Sequence, residues 1–126
     1  MYDKELALEI LNQILQSTTI ISKRYSKITS NDFVNTENTE KGHEILDAIC
    51  MQLIIIGESL KNLDKVTNNL LLNKYPEINW KKVKGMRDII SHHYFDINVK
   101  VVYEVCKNEI PQLHTVISKM IAVETQ

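Results

Sequence analysis

Turn-forming residues are scarce in this 126-residue chain, which holds three glycines and two prolines. Both prolines, Pro76 and Pro111, lie in the second half, so residues 1–75 contain none. That argues against an all-β sandwich or barrel, which needs frequent turns. Cysteine is nearly absent as well. Cys50 and Cys106 stand alone, without the C-x-x-C spacing of a zinc ribbon or a redox pair. That usage fits a reduced chain better than a disulfide scaffold. Net charge is −1, so no basic field covers the whole molecule, and contact with nucleic acid would need a local cluster. Apolar runs are short, as in Leu53-Ile54-Ile55-Ile56, against the ~20 residues of a membrane span. Asp3, Lys4 and Glu5 lead straight into an amphipathic pattern, unlike a signal peptide. These absences predict a soluble, cytoplasmic protein with no membrane partner.

What is present is ordinary globular composition, 44% hydrophobic and 25% charged. The length matches one domain over residues 1–126, long enough to fold without a metal or a disulfide. Apolar residues recur three or four apart, which is helical spacing. Leu6, Ile10, Ile14 and Ile21, with Leu11 and Leu15, predict a helix over 3–25 capped by Asp3. Residues 26–41 are rich in Asn, Thr and Ser and read as a loop. Ile45, Ile49, Leu53, Ile56, Leu60 and Leu63 predict a second helix over about 40–64, broadened by Leu46, Cys50 and Ile54. A helix apolar on two sides is central in a bundle or half of an interface. Gly57 within it costs about 1 kcal/mol against Ala and suggests close approach of a neighbour. Tyr75-Pro76 marks a turn. Asn79 can cap a third helix from Trp80 to about His92, and Asp96 a fourth that carries Ile97 to Met120. Pro111 should end, restart or kink that last helix. The expected fold is all-α, an up-and-down bundle of four or five helices.

One stretch, Trp80 to Tyr94, is not mere core pattern. It packs Lys81, Lys82, Lys84 and Arg87 into seven residues and adds Asp88, His92, His93 and Tyr94. A guanidinium fork suits phosphate oxygens. An imidazole takes or gives a proton near neutral pH. Together they suit cleavage of an RNA phosphodiester by its own 2′-hydroxyl, which needs a base, an acid and a cation but no metal. The three lysines suit steering of RNA phosphates. Asp88 and His92 are four apart and share a helix face, so the carboxylate could orient the imidazole. Arg87 and His92 are five apart, about 140° around a helix. They converge only if the helix end distorts or two copies of the chain form the site. Glu58 reads as a buried, hydrogen-bonded structural residue. Trp80 and Met86 read as core, His43 as a helix-surface residue and His114 as lying on the side of the last helix.

Arg87, His92 and Tyr94 spell R-x-x-x-x-H-x-Y, which resembles the signature of the HEPN superfamily and, within it, the HepT-type toxins of MntA–HepT pairs. Ile56-Gly57-Glu58, Pro76-Glu77-Ile78-Asn79-Trp80, Gly85-Met86-Arg87 and Asp96-Ile97 resemble further family blocks, in order, over residues 45–100. The resemblance implies a dimerising helical bundle with a metal-independent ribonuclease site in the dimer cleft. It implies Arg87 and His92 as catalytic residues, with Asp88 in support where many relatives carry Asn. It also implies a partner, a nucleotidyltransferase antitoxin of the MntA type that attaches AMP to Tyr94. Bulk and negative charge on that phenol would lie where an RNA phosphate must sit. The competing reading is a non-catalytic helical module that binds such a partner or a nucleotide through the apolar face at 49–56.

Overall fold

The first apolar stripe closes into helix α1, Lys4–Tyr25, in a computed structural model that describes residues 2–26, 40–93 and 99–126, apart from the side chains of Lys41 and His93. Asp3 caps it, its Oδ1 accepting the Leu6 amide at 3.1 Å. That carboxylate satisfies one of the amides a helix start leaves unpaired. Ile10, Leu11, Ile14 and Ile21 are buried as the spacing predicts. Leu6 differs and stands 40% exposed, while Ala7 in the same turn takes the buried position.

Helix α2, Glu40–Val66, is the longest element. Ile49, Leu53, Ile56, Leu60 and Leu63 form its buried stripe, joined by Leu46 and Cys50. Met51 and Ile55 face outward. After α2, Asn68 and Asn69 take left-handed backbone angles, with φ of 56° and 61°. Asn tolerates that conformation better than most residues, which lets the chain turn sharply. A 3₁₀ turn, Leu72–Lys74, follows, and Leu71, Leu72, Tyr75 and Ile78 anchor the connection in the core.

Helix α3 spans Trp80–His93. Asn79 caps it, its Oδ1 accepting the Lys82 amide at 3.1 Å. Trp80 is buried, and its indole N–H donates to the Tyr75 carbonyl at 2.8 Å. The cap expected at Asp96 falls outside the described residues. Helix α4, Val99–Glu104, runs through a π-helical turn, Val105–Glu109, into α5, Ile110–Glu124. Pro111 sits in the first turn of α5. It has no amide to donate to the turn before it, and the wide turn just upstream absorbs the mismatch.

The helices alternate in direction. Tyr2 donates to Glu124 at 2.9 Å, and Thr18 meets His114 Nδ1 at 3.0 Å, so α5 runs antiparallel to α1. Contacts from Arg24 to Ala48, and from Lys84 and Asp88 back to Asp64 and Lys61, give the same sense to α1–α2 and α2–α3. The fold is an all-α up-and-down bundle, with no strand among the described residues. No helix among them is long and apolar enough to cross a membrane. The polar loop expected over 26–41 lies almost wholly outside the described residues.

Candidate active site

Helix α3 remains regular through His93. Ile90 and Trp80 face the core, while Lys81, Asp88, Ile89, Ser91 and His92 are exposed. With 100° per residue, Asp88 lies about 40° from His92, whereas Arg87 lies about 140° away and about 7.5 Å back along the axis. The helix end therefore does not distort to bring Arg87 and His92 of one chain onto the same phosphate. His92 stands in the middle of the outward face, and Arg87 turns toward α2.

Arg87 occupies that position because α2 has no side chain opposite it. A Cβ added at Gly57 would lie 2.8 Å from Arg87 Cβ and 3.4 Å from the Lys84 carbonyl oxygen. The glycine thus lets α3 lie flush against α2, as its placement in the sequence suggests. One residue on, Glu58 Oε1 lies 2.5 Å from Arg87 Nε. That nitrogen is itself buried, and the oxygen sits off its N–H axis, so charge rather than an aligned hydrogen bond holds the pair. On the other side, Arg87 Nη1 donates to Asp88 Oδ1 at 2.9 Å. Lys61 Nζ lies 3.7 Å from Asp88 Oδ2. The Asp88 hydrogen bond, followed by the Glu58 charge, raises the Arg87 pKa. The same Arg87 bond, followed by the Lys61 charge, lowers that of Asp88 below its ordinary value. The carboxylate of Asp88 thus serves Arg87 and Lys61, not the His92 imidazole four residues later.

Glu58 is a correction to the expectation of a buried structural residue, since its side chain is 53% exposed. Only the helix crossing at Gly57 reveals its place, and the sequence signal was an acidic residue next to a glycine on a contact face. Lys61 was missed for the same reason. A surface hollow of ≈ 370 Å³ adjoins these groups, lined by Glu58, Ser59, Lys61, Asn62 and Lys65. On the far side of Arg87, toward His92, a second hollow is lined by Asp47, Cys50, Met51, Ile54, Ile90 and Ser91.

The three lysines before Arg87 do not form one patch. Lys82 pairs with Glu109 of the π turn, and Lys84 pairs with Asp64 of α2. Lys81 is exposed on the His92 side. Tyr94 falls outside the described residues. His43 is exposed and His114 is half-buried against α1. Burial pushes the thiol pKa of Cys50 up to about 11 and that of Cys106 up to about 12, which leaves both unreactive. Among the described residues, no three His, Cys, Asp or Glu side chains gather to hold a metal ion.

Chemically, the face offers a guanidinium whose position is set from two sides and a separate, accessible imidazole. Met51 and Ile55 on α2, at 56% and 37%, and Ile89 on α3, at 59%, are exposed apolar residues. Comparison with known proteins shows the family of the chain. The model of a family described as ribonuclease HepT-like matches residues 7–120. A proposed RNase of Caldanaerobacter subterraneus subsp. tengcongensis is 32% identical over 114 residues, covering 90% of this chain and 93% of that protein. A proposed RNase of Methanocaldococcus jannaschii is 32% identical over 101 residues, covering 80% and 75%. A protein named as a probable ribonuclease HepT in Thermococcus cleftensis is 30% identical over 105 residues, covering 83% and 86%. No solved structure is a significant match.

Proposed function

The chain belongs to the ribonuclease HepT-like family and is a ribonuclease, and from that premise we propose that it is the toxin of a toxin–antitoxin pair, cutting RNA without a metal through Arg87 and His92. The reading is carried by one observation. A charge-fixed arginine and an accessible histidine sit on the same helix, on sides that a single chain cannot bring together. Two copies packed across this helix would set the arginine of one beside the histidine of the other.

In that cleft one imidazole takes the proton from a 2′-hydroxyl. The freed oxygen attacks the adjacent phosphorus, and the bond to the 5′ oxygen breaks. The imidazole of the second copy returns a proton to the leaving oxygen, and Arg87 holds the charge that builds on the phosphorus oxygens. Asp88 supports Arg87. Lys81 is the best placed of the three lysines to meet RNA outside the cleft, since Lys82 and Lys84 are engaged in ion pairs. Tyr94, two residues past His92, is the site at which a nucleotidyltransferase antitoxin of the MntA type transfers AMP from ATP, releasing pyrophosphate. The added phosphate repels RNA from the cleft. The two free, buried cysteines are in keeping with a reducing cytoplasm.

The test is cleavage of total RNA and of separated tRNA with EDTA present. Wild type cuts, and His92→Ala loses about 10²–10⁴-fold in rate with unchanged thermal stability. Cleavage that survives this substitution removes His92 from the mechanism. A wild type that binds a nucleotidyltransferase yet cuts no RNA would be the non-catalytic module instead. In a separate arm, co-expression with such a partner adds AMP-sized mass, and Tyr94→Phe prevents it.

A further inference from the structure

We propose that Glu58 is the positioning residue of Arg87: from α2 it holds the Nε side of the guanidinium, so that the outer donors are already aimed when RNA arrives. The geometry is specific to this helix crossing. Gly57 brings the two backbones so close that the carboxylate one residue later meets Nε, at the root of the guanidinium, rather than its tips. Asp88 takes one hydrogen of Nη1. A guanidinium has five N–H donors, so three remain for phosphate oxygens. Arginine carries much rotamer freedom, and a side chain fixed before binding spends none of it at the moment of reaction.

The charge of Glu58 argues against a role in affinity. A half-exposed carboxylate beside a phosphate-binding group repels RNA. It argues equally against a purely structural role, because exposed ion pairs add little to stability. An anion tolerated at this place is explained by what it does to Arg87. The kinetic consequence rests on the ribonuclease reading above; the clamp itself does not.

The experiment compares wild type, Glu58→Gln and Glu58→Asp by two readouts. The first is kcat and KM for cleavage of a short RNA. The second is hydrogen exchange at the Arg87 Nε–H, followed by nuclear magnetic resonance without RNA. Glu58→Gln is expected to lower kcat about tenfold to a hundredfold, with KM unchanged or lower since a repelling charge has gone. Its melting temperature stays that of wild type, and its Arg87 Nε–H exchanges faster. Glu58→Asp, which keeps the charge on a shorter stem, recovers part of both. An unchanged kcat, or an effect on KM alone, overturns the proposal, as does an Nε–H that exchanges equally fast in all three proteins. If wild type cuts no RNA while its Nε–H is protected and Glu58→Gln releases it, the clamp stands and the nuclease reading falls.

Discussion

The two sides of α2 have been finished differently. Toward α1 and α5 it buries Leu60 and Leu63 among Ile14, Ile21, Leu113, Ile117 and Met120, each with essentially no exposed surface. Toward α3 the packing stops halfway. Ile90 is buried there, but Met51 and Ile55 are exposed, and the pairs of Lys84 with Asp64, Arg87 with Glu58 and Lys61 with Asp88 lie across the contact. The first side holds the fold together. The second side leaves apolar surface and charged groups where another molecule can complete them. Charged groups placed in the first side would have to be buried, at a cost that only full pairing offsets.

Substitution on each side should break this contrast or sharpen it. Leu60→Ala, in the filled side, is expected to cost about 2–5 kcal/mol of folding stability, measured by urea unfolding. Ile89→Ser, at an exposed apolar position of α3, should stay within about 0.5 kcal/mol for the monomer. It should instead move self-association to higher concentration in sedimentation. Equal destabilisation by both would erase the distinction.

Gly57→Ala tests the crossing itself. Its new methyl meets Arg87 Cβ at 2.8 Å, close to the backbone, where nothing flexible can give. Overpacking of this kind costs about 1–3 kcal/mol, of which the better helix propensity of Ala returns up to about 1. RNA cleavage should fall further than that loss implies, because Arg87 is pushed off Glu58. A variant with unchanged stability and activity would show that the close approach is not needed.

The smallest effect concerns pH. The Arg87 hydrogen bond and the nearby Lys61 lower the Asp88 pKa, so this carboxyl binds its proton less readily folded than unfolded. Its contribution to stability is therefore present above the unfolded value of about 3.9 and is lost as pH falls through the lower folded value. Titration of the Asp88 carboxyl carbon should give a midpoint below that reference, and Arg87→Gln should raise it. A midpoint that does not move would mean that Arg87 is not its main partner.

The elements were largely legible because their signals are local. Asp3 and Asn79 each accept an amide three residues ahead, and the stripe from Ile49 to Leu63 follows from helical spacing alone. The wide turn before Pro111 was legible as a disturbance, though not as a π turn, since the sequence states that an amide is missing but not how the backbone accommodates it. The site was legible in its residue types and poorly so in its contacts. Lys81, Lys82 and Lys84 form a basic run along the chain, yet two of them meet acids 27 and 20 residues away. Glu58 sits in a mostly apolar helix, and only the angle at which α3 crosses decides that it faces solvent and an arginine.

Composition and spacing by themselves determined an all-α bundle, its caps, most of its core and the segment where basic and titratable residues are concentrated, because each depends on residues within a few turns of one another. The tertiary structure alone decided which acid meets which base. An ion pair requires two side chains to arrive at the same point in space, and that point is set by how closely α2 and α3 approach at Gly57, a distance written in no single segment of the chain.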